Sequence, residues 1–237
     1  MKKRILLLTL IVCAFLMIGS VSVFAAEEPA ASVAIAEPML AVPSDDGFFW
    51  DVEPREWYYN YIGFVGRHGI FNGYGDGEFR PKQNMTRAEV VRVLFTLDGS
   101  PSVTVTDRFS DVAQDAWYAD EVEWAVSNGI VTGYPEGTFC PDNFVSRQDF
   151  VTMLYRFANY KEYDTTGRAE LNFPDVDDTN EYAIEAFAWA IDSGIISGTV
   201  EYDGIYLRPA ASTTRAQVAK MLSVVAVEYE ISARQQM

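Results

Sequence analysis

The sequence predicts a mainly α fold: three helix-turn-helix repeats packed as a pseudo-threefold helical bundle with grooves between them. Three observations lead there. Four short elements recur three times in the same order between residues 49 and 217, and a repeat of that length fixes architecture before local detail does. Within each copy, apolar residues return at i, i+3 and i+4, the period of one helical face. Turns bearing glycine and proline then separate one apolar stripe from the next.

The chain of 237 residues opens with Lys2, Lys3 and Arg4, an apolar run from Ile5 to Ile18, and the small-residue exit Val23-Phe24-Ala25. This order predicts a signal peptide over 1–25, with cleavage after Ala25. The alternative is an uncleaved anchor, since no charge interrupts Ile5 to Ala26 and such a length could span a bilayer. Gly19-Ser20 and the small-residue exit favour cleavage. After it no membrane segment is expected. Residues 26–47, rich in Ala and Pro, read as an extended linker.

The repeats are expected over 48–98, 108–158 and 172–226. Each opens with an aromatic and an aspartate: Phe49 with Asp51-Val52, Phe109 with Asp111-Val112, Phe173 with Asp175-Val176. A first helix follows, its stripe formed by Ile62, Val65 and Gly66 in unit one, Val122, Ala125 and Val126 in unit two, and Phe187, Ala190 and Ile191 in unit three. Gly69, Gly129 and Gly194 supply the left-handed residue that ends it. Turns then run through Gly73-Tyr74, Gly133-Tyr134 and Gly198-Thr199 to Pro81, Pro141 and Pro209, which stop any strand. Thr86, Ser146 and Thr214 cap a second helix, and Glu89, Asp149 and Gln217 three residues later complete or approximate a capping box. The aspartate-to-arginine separation is 36 residues in units one and two and 40 in unit three, where the turn is longer. One such unit buries little apolar surface alone, so the three must share a core.

Composition removes several function classes. With 34 acidic against 18 basic residues, the net charge is −16, and a surface that acidic repels phosphate backbones, so no nucleic-acid partner is expected. An anion has to be met by a local cluster of cations. Signal cleavage would leave Cys140 as the only cysteine, which excludes an intramolecular disulfide; it reads as a small half-buried hydrophobe. His68 is the only histidine, so neither a histidine metal cluster nor a serine-histidine-aspartate set can be assembled, and no enzyme, metal or cofactor is expected. The acidic run from Asp175 to Glu181 lacks the glycine and terminal glutamate of a calcium loop.

Taken together, Phe-x-Asp-Val, Trp57 or Trp117 six residues after the aspartate, Gly-Ile-x-x-Gly-Tyr-x-x-Gly-x-Phe-x-Pro and Thr-Arg-Ala-Glu resemble the S-layer homology (SLH) domain, in three tandem copies over about 180 residues. The resemblance implies an exported protein held without covalent bonds on a bacterial cell wall. Its implied partner is an anionic secondary cell-wall polysaccharide, pyruvylated on an amino sugar, bound between repeats, with other surface proteins as further partners. The competing expectation is a structural or interaction protein that assembles with itself or a partner and binds no glycan.

Arg87, Arg147 and Arg215 each occupy the first position of a second helix, where the helix dipole disfavours a cation by a few tenths to about 1 kcal/mol. Three such placements need a reason. Free backbone N–H groups plus a guanidinium would form an anion site; alternatively each arginine pairs with Asp51, Asp111 or Asp175 of its own or a neighbouring unit. Both can hold, since such an aspartate can orient an arginine that also binds ligand, which makes the three aspartates candidate site residues too. Trp57 and Trp117 are candidate sugar platforms, with Gly73, Gly133, Tyr74 and Tyr134 beside them. In unit three Tyr182 replaces Trp and Thr199 replaces Tyr. The arginine of that unit, Arg215, is accordingly expected to contribute least, and all three arginines are expected to be replaceable without loss of folding.

Overall fold

The computed structural model describes residues 49–235; the expected signal peptide (1–25) and linker (26–47) lie outside the described residues. Each unit contributes two helices: α1 (Tyr59–Arg67) and α2 (Arg87–Leu97), α3 (Ala119–Ser127) and α4 (Arg147–Tyr160), and α5 (Glu181–Asp192) and α6 (Arg215–Gln235). The fold is mainly α, as the periodicity predicts. Among the described residues no helix is long and apolar enough to cross a membrane.

Local signals operate as chemistry requires. Thr86 accepts from the Glu89 N–H while the Glu89 carboxylate accepts from the Thr86 N–H, a full capping box, and Ser146 accepts from the Asp149 N–H. Gly69, Gly129 and Gly194 end the first helices at φ of 65°, 69° and 67°, a region that costs any residue with a Cβ. The longer turn of unit three folds into a small hairpin, β1 (Thr199–Glu201) antiparallel to β2 (Gly204–Tyr206), with Val200 opposite Ile205. Gly and Pro signals there predicted a turn alone; the extra residues are enough to pair.

The second helix of each unit packs on the first helix of the next: α2 on α3, α4 on α5, and α6 back on α1. The order of contact therefore closes into a ring. At its centre, the N–H of Met85 donates to the carbonyl of Thr213 at 3.0 Å, that of Thr213 to Val145 at 2.9 Å, and that of Val145 to Met85 at 3.0 Å. All three residues are buried. Around this triangle Phe79, Phe139 and Leu207 occupy equivalent positions of one core with Leu94, Phe150, Leu154, Trp189 and Leu222. Burying each such side chain contributes roughly 1.5 to 3 kcal/mol relative to exposure.

Candidate inter-repeat grooves

The aspartates serve the backbone of their own unit. Asp51 accepts from the N–H groups of Phe79 and Arg80 at 2.8 and 2.7 Å, Asp111 from Phe139 and Cys140 at 2.8 and 2.7 Å, and Asp175 from Leu207 and Arg208 at 2.8 Å each. The second donor in every pair belongs to a residue with positive φ, at 57°, 56° and 55° for Arg80, Cys140 and Arg208. Each carboxylate thus holds a left-handed turn in place against a strain of about 1 to 2 kcal/mol. The alternative reading, in which these aspartates pair with the helix-start arginines, does not hold: no ion pair joins them among the described residues.

The helix N-termini are not free anion sites either. Arg87 and Ala88 donate their backbone N–H groups to the carbonyls of Asn143 and Pro141, Arg147 and Gln148 to Ala211 and Pro209, and Arg215 and Ala216 to Gln83 and Pro81. Each second helix is docked on the turn of the next unit, and its arginine follows. Arg87 Nε donates to Phe139 O at 2.9 Å and Nη2 to Thr132 O at 3.1 Å. Arg215 Nε donates to Phe79 O at 2.6 Å and Nη2 to Asn72 O at 2.9 Å. The arginines are therefore buried, at 8%, 7% and 4% exposure for Arg87, Arg147 and Arg215, and are part of the folded framework rather than freely replaceable.

This hand-off corrects the ranking drawn from sequence. Arg215 of unit three lies against unit one, its guanidinium 4.7 Å from the Tyr74 ring centre and 4.3 Å from that of Phe71. Arg87 lies 5.1 Å from the Tyr134 ring centre. The divergent turn of unit three instead faces Arg147, whose guanidinium makes no hydrogen bond to a described residue and whose Nε is buried without a partner. Gly198 takes φ +83° there, whereas Gly73 and Gly133 stay outside the left-handed region, so the preceding carbonyl is presented differently. Burial pushes Arg147 down to about 10 and lowers Arg215 in the same direction, because a charge loses hydration there.

Three inter-repeat junctions of different make-up result. The first joins Arg215 and Tyr74, whose hydroxyl donates to Glu89 at 3.2 Å, with Arg92 of the same α2 helix stacked 5.6 Å from the Trp117 ring centre. The second is a cavity of about 400 Å³ lined by Arg87, Gly133, Tyr134, Asp149, Arg156 and Tyr182 among others. The third holds Arg147. Trp57 and Trp117 are 54% and 55% exposed, open to stacking. Gly73 and Gly133 are packing glycines: a Cβ would collide with Phe49 in one and Phe109 in the other. Tyr182 donates to Asp149 at 2.6 Å; burial first, then this bond, pushes its hydroxyl up to about 12. Arg156 escaped the reading of motifs. Its spacing from Asp149, Thr152 and Met153 along one face of α4 was the available signal.

Residues 49–91, 108–151 and 172–219 match the S-layer homology domain family, together more than half of the chain. The chain is 38% identical over 96 residues to cell surface glycoprotein 1 of Acetivibrio thermocellus, covering 39% of this chain and 4% of that protein. It is 29% identical over 169 residues to the cellulosome-anchoring protein of the same organism, covering 68% of this chain and 36% of the other. To the surface-layer 125 kDa protein of Lysinibacillus sphaericus it is 28% identical over 156 residues, or 65% and 13% of the two chains. This chain thus corresponds to a minor part of each relative's length. Three matched repeats, closed into one ring of helices, place the chain in the S-layer homology domain family, whose setting is the secreted, cell-wall-attached surface of bacteria.

Proposed function

We propose that the chain attaches to the cell wall by binding an anionic, pyruvylated secondary cell-wall polysaccharide in its inter-repeat grooves. The observation that carries this reading is the pair of pre-set guanidiniums. In Arg87 and Arg215 the Nε and Nη2 donors are spent on carbonyls of the next unit, so the side chain is fixed before a ligand arrives and Nη1 remains to donate. Little rotamer entropy is then lost on binding. Beside each guanidinium, Tyr74 or Tyr134 supplies an aromatic wall; Trp57 and Trp117 are exposed, and Trp117, beside Arg92 of the first groove, offers a face on which a sugar ring stacks. Asp51, Asp111 and Asp175 act behind these contacts by holding the turns, and Gly73 and Gly133 by letting the turns sit close to Phe49 and Phe109. Arg147 belongs to the same set, in the groove with the fewest internal partners. The names of the relatives, a cellulosome-anchoring protein and a surface-layer protein, support attachment. The reading assigns the chain no catalytic step.

The test is sedimentation of the purified protein with wall sacculi before and after removal of non-peptidoglycan polymer, and with walls lacking pyruvate. The protein is expected to pellet with native walls only. Equal pelleting with stripped walls refutes the polysaccharide as ligand and leaves docking to a protein or to peptidoglycan.

A further inference from the structure

Arg156 is half-buried on the wall of the second groove and makes no ion pair or hydrogen bond with any described residue. Five other arginines, Arg80, Arg92, Arg108, Arg168 and Arg208, each pair with an acid. Arg156 shares its lack of an acid with the exposed Arg55 and Arg67 and with the three buried helix-start arginines, but it is half-buried and bonded to no described residue. What sets it apart is that Arg87 lines the same cavity, and like charges repel. The single carboxylate among the lining residues, Asp149, is already engaged by the Tyr182 hydroxyl at 2.6 Å and the Ser146 hydroxyl at 2.6 Å. The cavity thus keeps a surplus positive charge.

The feature belongs to this groove alone. Counting from each helix-start arginine, the positions equivalent to Arg156 are Thr96 and Val224, neither of which carries charge. Asp149, Thr152, Met153 and Arg156 stand at i, i+3, i+4 and i+7 on α4 and face the cavity together, while Tyr182 replaces the flat tryptophan of the preceding units with a hydroxyl fixed to Asp149. A volume of about 400 Å³ is within the range of small-molecule sites.

Resting on the glycan reading above, we infer that the second groove is specific for a doubly charged acidic sugar segment, in which Arg87 receives a carboxylate and Arg156 a second anionic group on the same or the adjoining residue. Arg156 is the specificity-determining residue of that groove. Because it bonds to no described residue and sits beside Arg87, Arg156→Gln should melt at or above the wild type.

The experiment is calorimetric titration of wild type, Arg156→Gln and Arg156→Lys with two probes: a pyruvylated N-acetylglucosamine methyl glycoside, and the same glycoside carrying a phosphate monoester. Wild type is expected to bind the phosphorylated probe at least about tenfold more tightly, Arg156→Gln to lose that preference while keeping its affinity for the first probe, and Arg156→Lys to retain part of it. Equal affinity of wild type for the two probes, or a preference that survives in Arg156→Gln, overturns the inference. Sedimentation separates this outcome from failure of the underlying reading. If wild type and Arg156→Gln pellet equally with native walls, only the role of Arg156 falls; if wild type does not pellet with native walls, the glycan reading falls and this inference with it.

Discussion

Replacing each helix-start arginine by methionine, which keeps much of the apolar stem and removes the guanidinium, should divide three formally equivalent residues into two classes. In Arg87→Met two bonds from a charged donor disappear, those at 2.9 and 3.1 Å to Phe139 O and Thr132 O. Each is worth about 1.5 to 3 kcal/mol and leaves a carbonyl without its donor, so the loss is about 3 to 6 kcal/mol. Arg215→Met, which severs bonds of 2.6 and 2.9 Å, should cost a similar amount. In Arg147→Met nothing comparable is broken. The depression of Arg147 to about 10 by burial instead corresponds to roughly 3 kcal/mol of penalty on the charged form, which the substitution removes. At roughly 2 to 4 °C per kcal/mol for a body of this size, Arg87→Met and Arg215→Met should melt roughly 6 to 24 °C below wild type, and Arg147→Met at or above it. Scanning calorimetry at neutral pH without wall polymer is the assay. A loss in Arg147→Met as large as in Arg87→Met would show that its guanidinium has a partner equal to the two carbonyls, and the account of the third groove would be wrong.

Gly133→Ala drives a Cβ into Phe109 and to 2.9 Å from Thr138 O, so urea titration should show a loss of about 3 kcal/mol; Gly194→Ala, with open space but φ +67°, should lose only about 1 to 2 kcal/mol. Glu121 is raised by burial, against the lowering influence of Arg92, and its Oε2 is buried without a partner. The folded protein therefore binds this proton more tightly than the unfolded chain, the penalty is full at neutral pH, and it is relieved as pH falls through the raised value. Glu121→Gln should be the more stable protein at pH 7 and lose that advantage toward pH 4, measured as the difference between paired denaturation curves; a difference independent of pH contradicts the assignment. Mass spectrometry of protein recovered from culture should place the mature N-terminus at Ala26, and an intact Met1 would exclude cleavage there.

What could be read from the sequence was local and repeated. The capping residues Thr86 and Ser146, the helix-ending glycines and the apolar stripes act within a few residues of themselves, and repetition made each visible three times. The arginines were conspicuous for the same reason, as cations at the wrong end of a helix. Their partners were not legible, because a motif shows its own unit and not which neighbour it meets. Arg215 uses carbonyls more than 130 residues away in the chain, those of Phe79 and Asn72, and backbone oxygens carry no signature in sequence. The aspartates misled similarly: a carboxylate 36 residues before an arginine suggests an ion pair, whereas two adjacent N–H groups at a left-handed residue were the stronger claimant. Arg156 lay outside every motif and emerged only when the two walls of the second groove were brought together.

The triangle of hydrogen bonds among Met85, Val145 and Thr213 bears on how such a module evolves and fails. An open stack of repeats can gain or shed a member at its end for one increment of stability, and needs distinct end pieces to cover its exposed faces. A circuit of three has no end. Omitting any member would cut two of its three junctions at once and leave two raw apolar surfaces that no remaining unit could cover. Copy number here is thus a geometric closure condition and not a dose. Melting should be all-or-none across the three units, and a damaged anchor should release its grip entirely instead of weakening by a third.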